Sequence, residues 1–301
     1  MGILGLERVV YGVEDLALAR RFFAEWGLAA EGDAFRTADG GEVRLRAMDD
    51  LALPAAVEHG STVREIVWGV TPSDELEALT RRIAGVTRVT RGSDGSAHFF
   101  DPAGFGVALT PTGRRTLPVE EVPVNTPERR GRIDTVGAFY KRARPRRIGH
   151  IVLQVPEIAP VERFYCEALG FWLSDRYPGR GVFLRGQAEA DHHQLFLLQS
   201  PDGKPHFHHL AFEVHDVHEV FGGGLAFAEC GWETHIGPGR HVISSCYFWY
   251  FKNPCGGSVE YFADMDSLTS AWQPREMPQT PEWFAEWALA SGVRQFGGVQ
   301  R

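Results

Sequence analysis

The fold is decided by two segments in the second half of the chain, PHFHHLAFEV at 205–214 and GPGRHVISSCYFWYFKNPCGGSVEY at 237–261. From position 208 the first segment alternates apolar residues with polar or small ones, which is typical of a β-strand with one buried face. His209 begins this strand, and Glu260 lies near the end of the second segment. Both side chains lie opposite the apolar positions of their strands, so we expect one face of a sheet to carry them.

A third strand, RIGHIVLQV at 147–155, adds His150 on the side opposite its own apolar positions. A single histidine would be weak evidence, because the chain contains 12 of them. Two imidazoles and one carboxylate, however, form a ligand set that leaves several positions on a metal open for other molecules. We therefore predict a metal site with His150, His209 and Glu260 as its ligands.

The chain also contains an internal duplication, in which the segments at 6–16, 64–70 and 100–109 repeat the three strands that carry these ligands. A repeat of this length indicates tandem domains of the same architecture. In the first half the ligand positions hold three residues of other types, namely Arg8, Glu65 and Ala108. We predict that this half does not bind metal in the same way, and that Arg8 and Glu65 form an ion pair.

Each half divides again into two units of strand, helix and three short strands. The sequence therefore predicts an α+β fold of four βαβββ modules. We place an N-terminal domain without metal ligands at 1–112, a Pro- and Arg-rich linker at 113–147, a catalytic domain at 148–264 and a tail at 265–301.

Two local features modify this pattern. Gly222, Gly223 and Gly224 interrupt the helical stretch at 216–230, and we expect a turn there because glycine is a poor helix former. In the tail, Pro281 is placed to begin a short helix that carries aromatic residues. These are Trp283, Phe284 and Trp287.

The composition narrows the class of protein. The 301 residues are 44% hydrophobic and 23% charged, and the formal net charge of −8 argues against a nucleic-acid partner. No apolar run approaches the roughly 20 residues that a membrane helix needs. The four cysteines show no CxxC spacing, so we expect free thiols in a reducing cytoplasm.

Taken together, the motifs GHIVL at 149–153, HHLAFEV at 208–214, GPGRH at 237–241 and GSVEY at 257–261 resemble those of the type I extradiol ring-cleaving dioxygenases. These enzymes belong to the vicinal oxygen chelate superfamily. The resemblance implies two tandem barrel-like domains, each built from paired βαβββ modules, of which the first is inactive.

The resemblance also implies an activity. The metal would be Fe(II), with Mn(II) as the alternative, and O₂ would cleave a catecholic ring next to its vicinal hydroxyls. In this family a histidine works as acid and base, and His193 fits that role better than His192. Tyr250 and His241 would hydrogen-bond the substrate oxygens. The natural context would be aromatic hydrocarbon catabolism by a cytoplasmic homo-oligomer with no nucleic-acid or membrane partner.

Two other functions stay open at this point. A glyoxalase-like metal-dependent lyase or isomerase would use the same fold, and a non-catalytic protein that binds an aromatic ligand would keep the cavity without needing three ligands. Four aromatic residues suggest an apolar aromatic substrate, although nothing fixes its substituents. These are Trp172, Tyr177, Phe183 and Trp249.

Overall fold

A computed structural model describes residues 2–71, 73–278 and 280–290. The elements of the first half, in chain order, are β1 Ile3–Val13, α1 Leu16–Glu25, β2 Ala29–Glu31, β3 Ala34–Arg36, β4 Glu42–Ala47, β5 Thr62–Val70, α2 Ser73–Ala84, β6 Thr90–Arg91, β7 Ala97–Phe100 and β8 Gly106–Pro111. This order is βαβββ twice, as predicted.

The second half repeats the order, with small additions. Its elements are β9 Arg147–Val155, α3 Ile158–Arg163, β10 Trp172–Tyr177, β11 Gly181–Arg185, β12 Ala190–Asp191, β13 Leu195–Gln199, β14 His206–Glu213, α4 Val217–Glu229, β15 Thr234–His241, β16 Tyr247–Lys252, β17 Ser258–Ala263, β18 Ser267–Leu268, β19 Arg275–Glu276, α5 Pro281–Phe284 and β20 Ala285–Ala290. A π-helical turn, Phe164–Ala168, follows α3. No helix of the described residues is long and apolar enough to cross a membrane.

The strand pairing shows how the modules combine. In the first sheet β1 and β5 pair antiparallel at the centre, and each pairs parallel with the last strand of its own module, β4 or β8. In the second sheet β9 and β14 form the same antiparallel centre and pair parallel with β13 and β17. The predicted fold of four βαβββ modules in two tandem domains is confirmed.

The two sheets share one hydrophobic core on their helix-bearing faces. Trp26 at the end of α1 stacks on Tyr261 of β17 with ring centroids 3.5 Å apart, and Phe227 of α4 packs edge-on against Trp26. The opposite face of the second sheet curls, since Tyr177 of β10 meets Ile243, which follows β15 at the other side of the sheet. That curl encloses the site described below.

The expected turn at the three consecutive glycines is wrong, because α4 runs through them without a break. A Cβ on Gly222 would lie 2.6 Å from the carbonyl oxygen of Tyr140, and one on Gly224 would lie 2.2 Å from the Trp249 ring. The linker and β16 therefore pack closely against this helix. Close packing compensates for the low helix propensity of glycine, which costs about 1 kcal/mol per residue relative to alanine.

The tail also differs from the prediction. The helix that begins at Pro281 is a single turn, and the chain continues as β20, which pairs antiparallel with β15. Trp287 therefore lies on a strand, opposite Arg240, and not on the predicted helix. The tail extends the second sheet at its edge and covers one side of the enclosed face.

The predicted ion pair between Arg8 and Glu65 is wrong. Nε of Arg8 lies 3.0 Å from Glu42, and Glu65 lies 2.7 Å from Nδ1 of His98. Each group thus has another partner in the same sheet, Arg8 on the adjacent strand β4 and Glu65 on β7, which lies one strand further away. Among the described residues, no group of potential metal ligands occurs in the first half.

Candidate metal centre and active site

Strand register brings the three predicted ligands together. Ala211 of β14 pairs with His150 on one neighbouring strand and with Glu260 on the other. His209 lies two residues before Ala211, so its side chain emerges on the same face. The small side chain of Ala211 thus lies at one edge of a triangle of ligands, between His150 and Glu260, and all three ligands are at least 95% buried.

The distances between the ligand atoms suit a single metal ion. Nε2 of His150 lies 3.0 Å from Oε2 of Glu260, Nε2 of His209 lies 3.3 Å from the same oxygen, and the two Nε2 atoms are 3.4 Å apart. Two ligand atoms at about 2.1 Å from one ion, at right angles to each other, would be roughly 3.0 Å apart. The three groups therefore fit three neighbouring positions around a divalent metal.

Glu260 shows the clearest sign that a cation belongs here. Its side chain is fully buried, and neither carboxylate oxygen receives a hydrogen bond of good geometry from the described residues. Burial alone would raise the pKa of Glu260, but the neighbouring His150 and His209 outweigh it and lower that pKa below its usual range. A buried, ionised carboxylate without donors is costly, and a metal ion would compensate it.

Two imidazoles near this carboxylate, those of His208 and His209, are kept neutral by burial. Burial, opposed in part by Glu260, lowers the pKa of His209 to about 4. Burial also lowers the pKa of His208 to about 3, and its Nδ1 lies 2.7 Å from Nδ1 of His209. His208 thus fixes the orientation of His209, while Nε2 of His209 stays free for a metal. Neutral imidazole is the form that binds metals.

Tyr250 and His241 form a hydrogen-bonded pair beside the ligands. Tyr250 pairs with Glu260 across two neighbouring strands, and its hydroxyl lies 3.0 Å from Nε2 of His241. Nδ1 of His241 lies 2.8 Å from the carbonyl oxygen of Phe284 and must donate to it. Nε2 of neutral His241 then accepts the hydrogen bond from Tyr250. Burial and the nearby Glu260 raise the pKa of Tyr250, so the hydroxyl keeps its proton.

The two candidate acid–base histidines have different surroundings. His193 lines the cavity, and its ring centroid lies 4.3 Å from that of His150. His192 is fully buried and bonded to Asp175 at 2.8 Å. Burial, followed by the neighbouring imidazoles, lowers the pKa of His193. The geometry therefore favours His193 as the histidine that can reach a molecule bound in the cavity.

A cavity of about 310 Å³ extends from the metal ligands. Phe183 and Tyr177 line it as predicted, but Trp172 and Trp249 do not. Trp172 is about half exposed beneath the guanidinium of Arg185, and Trp249 packs on the other face against α4. The predictions that Trp172 and Trp249 line the cavity were wrong because an aromatic residue in a strand can lie on either face of a sheet.

Some lining residues gave no signal in the sequence. Phe196 stacks on Phe183 with ring centroids 3.8 Å apart, and Phe284 closes the cavity from the tail. Cys246, which is buried, lies within 4.8 Å of both His241 and Glu260. The sequence could not place these residues, because their positions depend on how the sheet curls and on where the tail returns.

Comparison with known proteins agrees with this architecture. The sequence profile of the Glyoxalase/Bleomycin resistance protein/Dioxygenase superfamily matches residues 147–261. This part of the chain is similar to the members of that superfamily. The profile match includes all three predicted ligands and ends one residue after Glu260.

Relatives and solved structures extend the similarity. Metapyrocatechase 2 of Cupriavidus necator is 34% identical over 207 residues, which is 64% of each chain. Biphenyl-2,3-diol 1,2-dioxygenase of Paraburkholderia xenovorans is 26% identical over 90% of this chain and 91% of its own. The Mn(II)-bound glyoxalase from Novosphingobium aromaticivorans has a TM-score of 0.77 at 22% identity, covering 100% of this chain and 95% of that one.

These matches confirm the predicted resemblance to extradiol dioxygenases. The match to metapyrocatechase 2 spans somewhat less than two thirds of that protein's length. The structural similarity, at 22% identity, establishes the fold alone. What the site does is therefore argued from its own residues.

Proposed function

We propose that this protein is a metal-dependent extradiol dioxygenase, which cleaves a catecholic ring with O₂ next to the vicinal hydroxyls. One observation carries the proposal. The ligand triangle beside Ala211 opens into a largely apolar cavity whose polar lining groups include His193 and the His241–Tyr250 pair. A site that only sequesters an aromatic molecule would need neither the ligands nor these proton-bearing groups.

His150, His209 and Glu260 would hold the metal. We propose Fe(II), with Mn(II) as the alternative, since both accept two imidazoles and a carboxylate. When bound, such an ion supplies open positions where a catechol and O₂ come together and exchange electron density. The Mn(II)-bound glyoxalase of similar fold is one reason to keep manganese in the test.

The roles of the other residues follow from their hydrogen bonds. Nε2 of His193 would take the proton of a catechol hydroxyl and return it during ring opening, which suits an imidazole kept neutral by burial. Tyr250 would hydrogen-bond a substrate oxygen, and His241 would hold the phenol in place through its bond of 3.0 Å.

The cavity wall favours an apolar ring. Phe183, Phe196 and Phe284 provide flat apolar surfaces, and Ile236 and Ile243 close the space between them. We propose an alkyl- or aryl-substituted catechol as the substrate class, because substituents of that kind gain most from such a surface. The cytoplasmic location and the homo-oligomeric state stay predictions from the sequence.

The test is anaerobic reconstitution with Fe(II), or in parallel with Mn(II), followed by air and a panel of catechols. The account predicts O₂ uptake together with a coloured ring-opened product, and loss of both in His209→Ala and Glu260→Ala. Glu65→Gln is the matched control, since Glu65 occupies the position of His209 in the duplicated first half. One bound metal per chain without O₂ uptake would favour a lyase or isomerase, and no metal would favour a binding protein.

A further inference from the structure

Beside the metal centre lies a buried row of hydrogen-bonded side chains. His192 and Asp175 are both fully buried, and Nε2 of His192 lies 2.8 Å from Oδ2 of Asp175. The other ring nitrogen of His192, Nδ1, lies 3.1 Å from Nδ1 of His193. The row therefore runs from Asp175 through His192 to His193 and ends at the cavity.

Asp175 is held in its ionised form by a residue from the tail. The backbone N–H of Arg275 donates to Oδ1 at 2.7 Å, and its guanidinium donates to Oδ2 at 2.6 Å. Burial alone would raise the pKa of Asp175, but the hydrogen bonds from His192 and Arg275 outweigh burial and lower it. Arg275 is itself stacked over Trp272, with its guanidinium carbon 4.5 Å from the ring centroid.

This arrangement fixes where the protons lie. A carboxylate only accepts hydrogen bonds, so Nε2 of His192 carries the proton that joins it to Asp175. Where His192 carries this one proton only, its Nδ1 is an acceptor, and Nδ1–H of His193 donates to it. Nε2 of His193 is left without a proton, on the side of the ring away from His192. It is the nitrogen that can accept a proton from a molecule in the cavity.

We propose that Asp175 and His192 are positioning residues that hold His193 in the tautomer with an unprotonated Nε2. The inference rests on the proposed function, in which His193 takes a proton from a catechol. In that step the O–H bond of the substrate breaks and an N–H bond forms at Nε2, while Nδ1–H stays bonded to His192. The same proton returns to oxygen when the ring opens, so His193 ends as it began.

Asp175→Asn tests this idea with little change in volume. Its amide can donate to Nε2 of His192, which would reverse the direction of every hydrogen bond in the row. Arg275→Gln is the matched control, because it removes the ion pair on the same carboxylate but leaves the bond from His192 intact. The side chain of Arg275 is 40% exposed, so water can take its place.

The first readout is independent of turnover. Two-bond ¹H–¹⁵N correlation spectra of metal-free protein labelled at histidine report which ring nitrogen carries the proton. The wild type and Arg275→Gln are expected to show His192 protonated at Nε2 and His193 at Nδ1. Asp175→Asn is expected to change the tautomer of both. Nε2–H on His193 in the wild type, or unchanged tautomers in Asp175→Asn, would overturn the proposal.

The second readout is the kinetics of the metal-reconstituted protein. Asp175→Asn should lower kcat at least about tenfold and change KM less than about twofold, since proton transfer and not binding is impaired. His192→Gln should recover much of the loss seen in His192→Leu, because an amide can donate to Asp175 and accept from His193. Equal losses in Asp175→Asn and Arg275→Gln would indicate a merely structural role. Failure of the wild type with every catechol would refute the proposed function, and the spectra would still decide the tautomer.

Discussion

At the scale of single residues, the site depends on one small side chain. Ala211 separates His150 from Glu260 across three neighbouring strands, and it leaves the space in which their ligand atoms approach to 3.0 Å. Val67 occupies the equivalent position in the first half, where the ligands are absent. The duplication thus provides a natural comparison for the size of this residue.

Ala211→Val is expected to weaken metal binding on the order of tenfold, because the added methyl groups enter the triangle of ligands. Overpacking should also lower the free energy of unfolding by about 1–3 kcal/mol. Titration of the metal-free protein with Mn(II), followed by calorimetry, measures the first effect. Val67→Ala is the control and should leave metal affinity unchanged. Equal affinity in Ala211→Val and wild type would show that Ala211 does not shape the site.

At the scale of elements, α4 combines poor helix propensity with close packing. Its glycines meet the linker on one side and Trp249 of β16 on the other. The next strand, β17, carries Glu260 and pairs with β16 along its length. The helix therefore supports the ligand strands from the face opposite the metal.

Gly224→Ala is expected to destabilise the protein by roughly 1–3 kcal/mol, because its Cβ would lie 2.2 Å from the Trp249 ring. By propensity alone the same change would stabilise a helix by about 1 kcal/mol. The sign of the change in unfolding free energy, measured with urea, decides between packing and propensity. Leu225→Ala on the exposed side of the same helix should have little effect.

These elements also show what sequence could predict. The alternation of residues along each strand and the internal duplication predicted that His150, His209 and Glu260 share one face. Both patterns can be read directly from the sequence. The course of α4 through three glycines, and β20 in place of a longer helix, depended on contacts with distant segments. The role of Asp175 was equally hidden, since its partners His192 and Arg275 meet it only through the curl of the sheet and the return of the tail.

At the scale of the whole molecule, the halves share one core. Trp26 of the first half stacks on Tyr261 of the second, next to Glu260. A second contact joins Asp101 of the first half to the hydroxyl of Tyr165 in the second, at 3.3 Å. We propose that the half without ligands serves as a support for the half that has them, with domain boundaries at 1–112, 113–147, 148–264 and 265–301.

The contact at Asp101 predicts a pH dependence of stability. Burial raises the pKa of Asp101 to about 6, above that of an unfolded chain. The folded state then binds the proton more tightly, so protonation of Asp101 adds to the free energy of unfolding. This contribution is full below about pH 4 and is lost as the pH rises through 6. It amounts to roughly 2–3 kcal/mol. Asp101→Asn should remove this part of the dependence when unfolding free energy is measured from pH 4 to 7, and an unchanged profile would contradict the assignment.

The central claim is that the His150, His209 and Glu260 site directs O₂ into a catecholic ring. Turnover of the Fe(II)-loaded protein under ¹⁸O₂ with an alkyl- or aryl-substituted catechol, followed by mass spectrometry of the product, tests it most directly. The account predicts that oxygen from ¹⁸O₂ enters the ring-opened product, and that Glu260→Ala forms none of it. A product formed at the same rate without O₂, or one that carries no label, would contradict the account.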